Sequence, residues 1–477
     1  MAKAKSEKNY AASFKLKSIE LYKARDAETV FANIMSLVTH FQYYEDIMLP
    51  TVSATMVVLD NAENFISSMP IQGFERVVIK VESIQDEEYE YNFRVWTVAN
   101  RATKDRRQMY TLGLISEQGL FNEGLRVNAT QEGEISEVVR NVMKTYLNVE
   151  FDEDLIEESR SHVKIIPTKK SPFSLIRSLQ TKAVPAKTYK TLNSNSVPLG
   201  RMASERDKQI ISDLNKEAEK AKGTAGYLFF ETYNGFVFKS IDGLVSAEPR
   251  IKEEFKWLPG KVEFESLYKI QEVIFESEIN MMKKLREGAY SSICCFFNIN
   301  TGKYTERVYS LEDTWEEMVH LGSQTDLPVG QKTLSQYPTR VMSTVVNHEN
   351  WNMGEGIADS TDDNRDSTFE YTDNQMDYLS QSVARAGIMF NQQLTISLTG
   401  QLYLSAGDLI EIRIPNQLPD QARDDEKYDP EHSGTYLIKK LNHQFNVLDQ
   451  TVHTVLDLIR DSYGIKERES NVDVALY

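Results

Sequence analysis

Apolar and polar residues alternate over several short stretches of the first 120 positions. Phe14-Lys-Leu-Lys-Ser-Ile19 has period two and predicts a strand. Val52–Leu59 is rich in β-branched residues, and Gly73 leads into Phe74-Glu-Arg-Val-Val-Ile-Lys-Val81, so both are expected as strands. Tyr89–Ala99 and Gln108–Ile115 add two more. Ala27–Tyr44 departs from this pattern: Val30, Ile34, Leu37 and Val38 fall at helix-like spacing and predict a short helix. Short strands at close spacing predict a barrel or sandwich of about 100 residues.

The period then changes. Ser136–Leu147 places Val138, Val139, Val142, Met143, Tyr146 and Leu147 on one helical face. Pro172 opens a second helix with Phe173, Ile176 and Leu179 aligned, and proline is favoured in a first turn. Ser204–Lys222 is dense in charge and poor in apolar residues, which predicts a solvated helix or linker. Strands return at Gly226–Tyr233 and Phe236–Ile241. The Asn234-Gly235 pair between them is a strong hairpin signal, because both residues tolerate positive φ. Leu267–Glu287 has helical periodicity ending before Gly288. Tyr290–Asn298 and Lys303–Tyr309 flank Asn300-Thr-Gly302 as a second hairpin, and Leu311–Leu321 reads as a short helix. Residues 353–384 are polar and acidic. Alternation resumes in Leu394–Leu398, Leu409–Ile414, Tyr436–Lys439 and Thr454–Ile459, a second β unit. Gly73–Val81 and Gly407–Ile414 form a weak internal repeat, each a turn glycine leading into an alternating strand.

Composition narrows the function classes. With 477 residues the chain is long enough for about three domains. Its net charge of −17 argues against a sequence-independent grip on nucleic acid, which needs clustered Lys and Arg. Met1–Lys8 has no apolar stretch behind it, so no signal peptide is expected. No apolar run approaches the roughly 18 residues of a membrane span. Cys294 and Cys295 are the only cysteines. Neighbours on a strand point to opposite faces, so a disulfide between them would be strained, and two thiols alone do not make a zinc site.

No strong catalytic motif is present. Gly330-Gln-Lys-Thr333 lacks the glycines of a phosphate-binding loop, and His348-Glu-Asn-Trp-Asn352 lacks the second histidine of a zinc protease. His40, His162, His320, His432, His443 and His453 form no short ligand pairs and are expected to be structural. Asp359–Asp366 approaches a calcium-loop pattern, but the mid-loop glycine is missing and Arg365 intrudes; it is expected to be a solvated loop, as is the acidic stretch within 416–433. No catalytic, cofactor-binding or metal-binding residue is therefore assigned. No cofactor is expected, and partner-binding residues are left unassigned.

Taken in order, these segments resemble the tail hub (baseplate hub) protein of contractile-tailed phages, of the T-even type, and the related hub part of type VI secretion spikes. The end of the chain carries most of the likeness. Ser433-Gly-Thr-Tyr-Leu-Ile-Lys-Lys-Leu-Asn-His-Gln-Phe445 and Thr454-Val-Leu-Asp-Leu-Ile-Arg-Asp-Ser462 look like the family's closing barrel strands. Leu394–Leu404 leading into Gly407–Pro415 resembles the strands before them, and Gly226–Ile241 the entry hairpin. Arg286-Glu-Gly-Ala-Tyr-Ser-Ser292 resembles the segment leading into an inserted hairpin, and Ser171-Pro-Phe-Ser-Leu-Ile176 a helix between the barrels. The likeness covers most of residues 13–463.

The resemblance implies a mixed β and α/β fold, with two similar antiparallel β-barrels, inserted α/β domains and a discontinuous second barrel. The implied division is an N-terminal arm (1–12), first barrel (13–119), α/β domain (120–201), charged helix or linker (202–223), second barrel (224–245 and 385–463), inserted α/β domain (246–384) and C-terminal tail (464–477). It implies a structural, non-enzymatic role in the tail baseplate of a virion assembled in the host cytoplasm. Three copies would join a sixfold tail tube to a threefold cell-puncturing spike, with a lumen through which DNA passes without specific binding. The implied partners are the spike, the tube, a tape-measure protein and baseplate wedge proteins, with no stable membrane insertion. The competing readings are a baseplate-associated cell-wall hydrolase, with a carboxylate pair hidden among 71 acidic residues, and a carbohydrate-binding receptor module.

Overall fold

The computed structural model describes residues 12–23, 26–60, 71–104, 107–160, 162–187, 189, 224–257, 267–277, 280–298, 302, 304–322, 337–346, 375–415, 428–429 and 431–462. The expected arm at 1–12 (Ala12 apart), the charged segment at 202–223 and the tail at 464–477 lie outside them. So do His348, the Asp359–Asp366 run and most of both acidic loops.

The chain opens with β1 (Lys15–Lys23), β2 (Asp26–Asn33), β3 (Val38–Asp46), β4 (Ser53–Asp60), β5 (Arg76–Glu82), β6 (Glu88–Lys104) and β7 (Arg107–Ile115). Their spatial order is β3-β4-β7-β6-β5-β1-β2, antiparallel throughout. The helix expected over 27–44 is instead β2, a 3-10 turn at Met35–Leu37 and the start of β3. Along β3, Val38, Phe41, Tyr43 and Glu45 are buried while their neighbours are less so, which is a strand's alternation. The fourfold spacing of Val30, Ile34 and Val38 is coincidental. Val30 is exposed on an edge strand, whereas Ile34 and Val38 enter the core.

The next unit contains α1 (Glu117–Gly124), β8 (Gln131–Glu134), α2 (Ile135–Leu147), β9 (His162–Ile165) and α3 (Pro172–Gln180). Helix α2 buries Val138, Val139, Val142, Met143 and Leu147, the face that its sequence spacing predicts. It stops at Asn148, whose left-handed conformation (φ +53°) closes the helix. Helix α3 buries Phe173, Leu175, Ile176 and Leu179.

Strands β10 (Tyr227–Thr232) and β11 (Gly235–Ser240) form the Asn234-Gly235 hairpin, which runs into α4 (Ile241–Val245). Among the described residues this hairpin forms its own two-stranded ladder, touched by a single bridge from Phe238 to Ile156, and does not join the sheet built from 392–460. Both its faces are apolar, so it is buried as a wedge. Tyr227, Phe229, Phe236 and Phe238 pack with α2 and α3, while Leu228, Phe230 and Val237 pack on Leu409, Leu437 and Ile459.

Then follow β12 (Phe255–Trp257), β13 (Lys269–Ile270), β14 (Glu272–Ser277), α5 (Met281–Glu287), β15 (Ser291–Asn298), β16 (Tyr304–Ser310), α6 (Leu311–Thr314), β17 (Arg340–Val346), α7 (Gln375–Ile388), β18 (Gln392–Thr399), β19 (Leu409–Arg413), β20 (Gly434–Asn446) and β21 (Thr451–Arg460). The helix expected over 267–287 is restricted to α5. Its first half is strand, because Val273-Ile274-Phe275 pairs along β18. Strands β15–β17 form a separate three-stranded sheet, with β15 parallel to β17 and antiparallel to β16. Cys294 and Phe296 face its buried side, while Phe297, Tyr304, Val308, Val341 and Val345 are exposed on the other.

Strands β12 to β14 and β18 to β21 join β1–β7 in one mixed 14-stranded sheet. The joining pair is β20 with β3, from Lys440↔Asp46 to Asn446↔His40. A bulge between Ile438 and Lys440 divides the work of the β20–β21 hairpin. Before the bulge β20 pairs with β19, while β21 pairs with β18 along most of its length, from His453 to Arg460. After the bulge β20 pairs with β3, and the hairpin tip touches the start of the chain through the Ser13↔Thr451 bridge and Phe14 N–H to Gln450 O at 3.2 Å. Phe445 stacks on Phe41 with ring centres 4.2 Å apart and meets Phe14 edge-on at 5.1 Å. One apolar core therefore runs through both halves of the sheet.

Candidate functional site

Two buried polar clusters pin the β10–β11 hairpin at its two ends. At its exit, Ser240 caps α4 by accepting the Gly243 N–H, and this places Asp242 in the interior. Arg385 projects from α7 to meet it. The guanidinium donates from Nη2 to Asp242 Oδ1 (3.0 Å) and to the Val319 carbonyl (2.5 Å), and from Nη1 to Asp461 Oδ2 (2.6 Å). Asp461, just past β21, also binds His320 Nδ1 at 2.9 Å and accepts the Leu321 N–H at 3.0 Å. His320 stacks on Trp315 at 3.6 Å between ring centres, and its Nε2 reaches the Trp315 carbonyl at 2.9 Å.

Burial alone would raise the Asp461 carboxyl, but Arg385 and His320 reverse that, and it sits well below the usual carboxylate range. For Asp242 burial outweighs Arg385, and its carboxyl is raised. Burial pulls Arg385 down, and the two aspartates more than restore it.

At the hairpin's turn no cation pairs with the buried carboxyls among the described residues. Glu45 of β3 is buried and accepts three hydrogen bonds: Tyr43 hydroxyl to Oε1 (2.6 Å), Tyr233 N–H to Oε1 (2.6 Å) and Ala406 N–H to Oε2 (2.6 Å). Glu231 of β10 accepts the Val52 N–H at 3.0 Å. Burial pushes both carboxyls up to about 7. Tyr233 packs against Tyr89 and Tyr91, closing the cluster.

His443 is buried against Thr454 (2.9 Å), and burial pushes its pKa down to about 3. His432 binds Asp429 at 2.6 Å. Cys294 and Cys295 are free thiols on opposite faces of β15. Among the described residues, no group of three or more His, Cys, Asp or Glu is placed to hold a metal ion, and no helix is long and apolar enough to cross a membrane.

Sequence reasoning did not pick out Arg385, Asp461, Asp242, Glu45 or Glu231. A signal existed for Arg385 and Glu231. Arg385 is the lone cation in Val383-Ala-Arg-Ala-Gly-Ile388, and Glu231 the lone charge after Tyr227-Leu-Phe-Phe230. A single charge in an apolar run marks a buried partner elsewhere.

No family model matches the sequence, and no curated protein matches it. Solved structures do match. A tail protein from Neisseria meningitidis aligns over 95% of this chain and 98% of its own, at 9% identity and a TM-score of 0.50. The 43 kDa tail protein of prophage MuSo2 from Shewanella oneidensis aligns over 94% and 98%, at 8% identity and a TM-score of 0.49. A type VI secretion component of E. coli aligns over 95% and 79%, at 10% identity and a TM-score of 0.34. The fold of this chain is thus a tail-protein fold, in keeping with the hub-protein resemblance that its own segments carry.

Proposed function

We propose that the chain is a structural tail hub protein. Three copies form an adaptor between a sixfold tail tube and a threefold cell-puncturing spike, in the baseplate of a virion assembled in the host cytoplasm. The β20–β21 hairpin, shared by two like half-sheets, carries this reading. Each half-sheet reads as one barrel. In the first, Ser13 bridges to Thr451 and returns the ladder to the hairpin that β3 already pairs. In the second, only Gln271 separates β13 from β14, and its N–H bonds the Ser397 carbonyl, so one segment links the β12 and β18 edges.

The glycine-strand repeat supports the duplication. Gly73 (φ +104°) and Gly407 (φ +89°) both take positive φ before a strand. In each turn a nearby carboxylate accepts backbone N–H groups: Glu75 from Gln72 and Gly73, Asp408 from Ser405. Two like barrels per chain give six in a trimer, which suits a partner with sixfold symmetry on one side and threefold on the other.

Spike and tube are the main partners of this reading, with tape-measure and wedge proteins beyond them, and no reaction is assigned. The lumen is proposed to be neutral to acidic, so that duplex DNA passes without phosphate pairing. Native mass spectrometry of the purified chain, alone and with its spike, tests the assembly. A trimer is expected. A chain that stays monomeric in both, or six copies at the tube end of a particle, would overturn it. Retention of duplex DNA by the trimer at about 0.15 M salt would overturn the lumen.

A further inference from the structure

The chain is acidic overall, yet one open strand edge is basic. The β5–β6 ladder ends at Arg76↔Arg94, and Val95 is bonded to the backbone of Phe74 and Glu75. From Trp96 to Lys104, β6 pairs only with β7 among the described residues. This stretch carries Arg101 and Lys104 and no acidic residue, and Arg107 lies opposite Lys104 on β7.

The same edge presents fixed aromatic surface. Trp96 is 58% exposed, and its ring lies over Gly113, where an added Cβ would come within 2.9 Å of the indole nitrogen. Phe74 is 53% exposed and has φ +69°, a strained conformation for a bulky residue. It is held there by its N–H bond to Val95 O (2.8 Å), by Arg94 Nη1 on its carbonyl (3.1 Å) and by the Glu75 carboxylate behind Gly73.

Strand β14 is the counterpart. Among the described residues it pairs with β18 alone, carries Glu272 and Glu276 with no basic residue between them, and exposes Ile274 (48%) and Phe275 (45%). A bare strand edge is a template for another strand, and opposite charges with apolar neighbours favour one partner over others.

We infer that the β6 edge of one copy pairs with the β14 edge of the next. The occupant is thus a second copy of this chain. The contact is heterologous: β6 belongs to the first half-sheet and β14 to the second, so in a ring of three copies held by it the halves alternate. This rests on the trimer proposed above and names the surfaces that would hold it.

The test compares full-length chains by native mass spectrometry and sedimentation at low salt, with thermal melting as the control for folding. Reversing the basic edge (Arg101→Glu with Lys104→Glu) or the acidic edge (Glu272→Lys with Glu276→Lys) is expected to weaken the trimer about tenfold or more. The chain carrying all four changes is expected to recover it. Carbodiimide cross-linking of the wild type is expected to join Lys104 of one copy to Glu272 or Glu276 of another. A trimer indifferent to the reversals, or a cross-link from Lys104 to Asp26 on the β2 edge instead, would overturn the interface and leave the trimer standing. A wild-type chain that never associates would overturn both.

Discussion

The two clusters that pin the β10–β11 hairpin solve the same problem in opposite ways. At the exit, Asp242 and Asp461 share the buried cation Arg385. At the turn, Glu45 and Glu231 have only neutral donors around them among the described residues. Removing a charge from water costs several kcal/mol, and a well-aligned opposite charge offsets much of that. Neutral donors do so only in part, which is why burial carries both glutamates to about 7 while Asp461 stays ionised. The exit is therefore an ion-pair lock. The turn is a proton-dependent one.

Breaking the lock should have the largest effect. In Arg385→Met the helix keeps a long apolar side chain, but the two buried aspartates lose the guanidinium they share. We expect a loss of about 3–5 kcal/mol in chemical denaturation, concentrated in the segment that carries α7 and β15–β17. Hydrogen exchange would locate it. A variant as stable as the wild type would show that the cluster is open to water.

The second prediction separates the clusters by pH. Asp461 has a lowered carboxyl, so its contribution is present above its ordinary value of 3.8 and is lost as pH falls through its folded value. Glu231 has a raised carboxyl. Its folded state favours the neutral acid, so its contribution is most favourable below its ordinary value of 4.5 and is lost as pH rises toward about 7. Between pH 5 and 7, stability should fall by about 2 kcal/mol through Glu231, and Glu45, raised in the same way, adds to the fall, whereas Asp461 stays ionised throughout. Denaturation curves across that window check the sign. In Glu231→Gln its share of this slope should vanish.

Glu45 is expected to tolerate its amide poorly. All three of its neighbours are placed to donate, so in Glu45→Gln one N–H must point at a donor. A cost of about 1–3 kcal/mol follows, measured at pH 8.

Legibility in the sequence divides along the same line. The hairpin at Asn234-Gly235, the helices from Ser136 and Pro172, and most strands were readable because each is a local pattern. Val30, Ile34 and Val38 misled because three apolar residues, one on each of two strands and one in the turn between them, chanced to fall four apart. Val273-Ile274-Phe275 misled because a strand and a short helix adjoin without a proline or glycine between them. The clusters depend on contacts far apart in the chain: 143 residues separate Arg385 from Asp242, and 361 separate Glu45 from Ala406. No local period encodes such a meeting. Nor does any period reveal that one hairpin, β20–β21, serves both halves of the sheet, since that depends on a bulge at Ile438.

The smallest effect, and the one that best sharpens the comparison, belongs to Glu231→Gln. The substitution keeps an oxygen for the Val52 N–H and removes the charge that burial opposes. At pH 5 the wild-type glutamate is already largely neutral in the folded state, so the variant should match it. At pH 8 the wild type bears a buried carboxylate that the variant lacks, and the variant should be more stable by about 1 kcal/mol, less than the full titration term because the amide adds two donors that need partners. The crossover is the diagnostic feature. A cluster that worked like the Arg385 lock would lose stability on neutralisation at every pH above its folded value, as Asp461→Asn should. A gain for Glu231→Gln that appears only at the higher pH would mean that the hairpin's turn is held in spite of its charge, and its exit because of it.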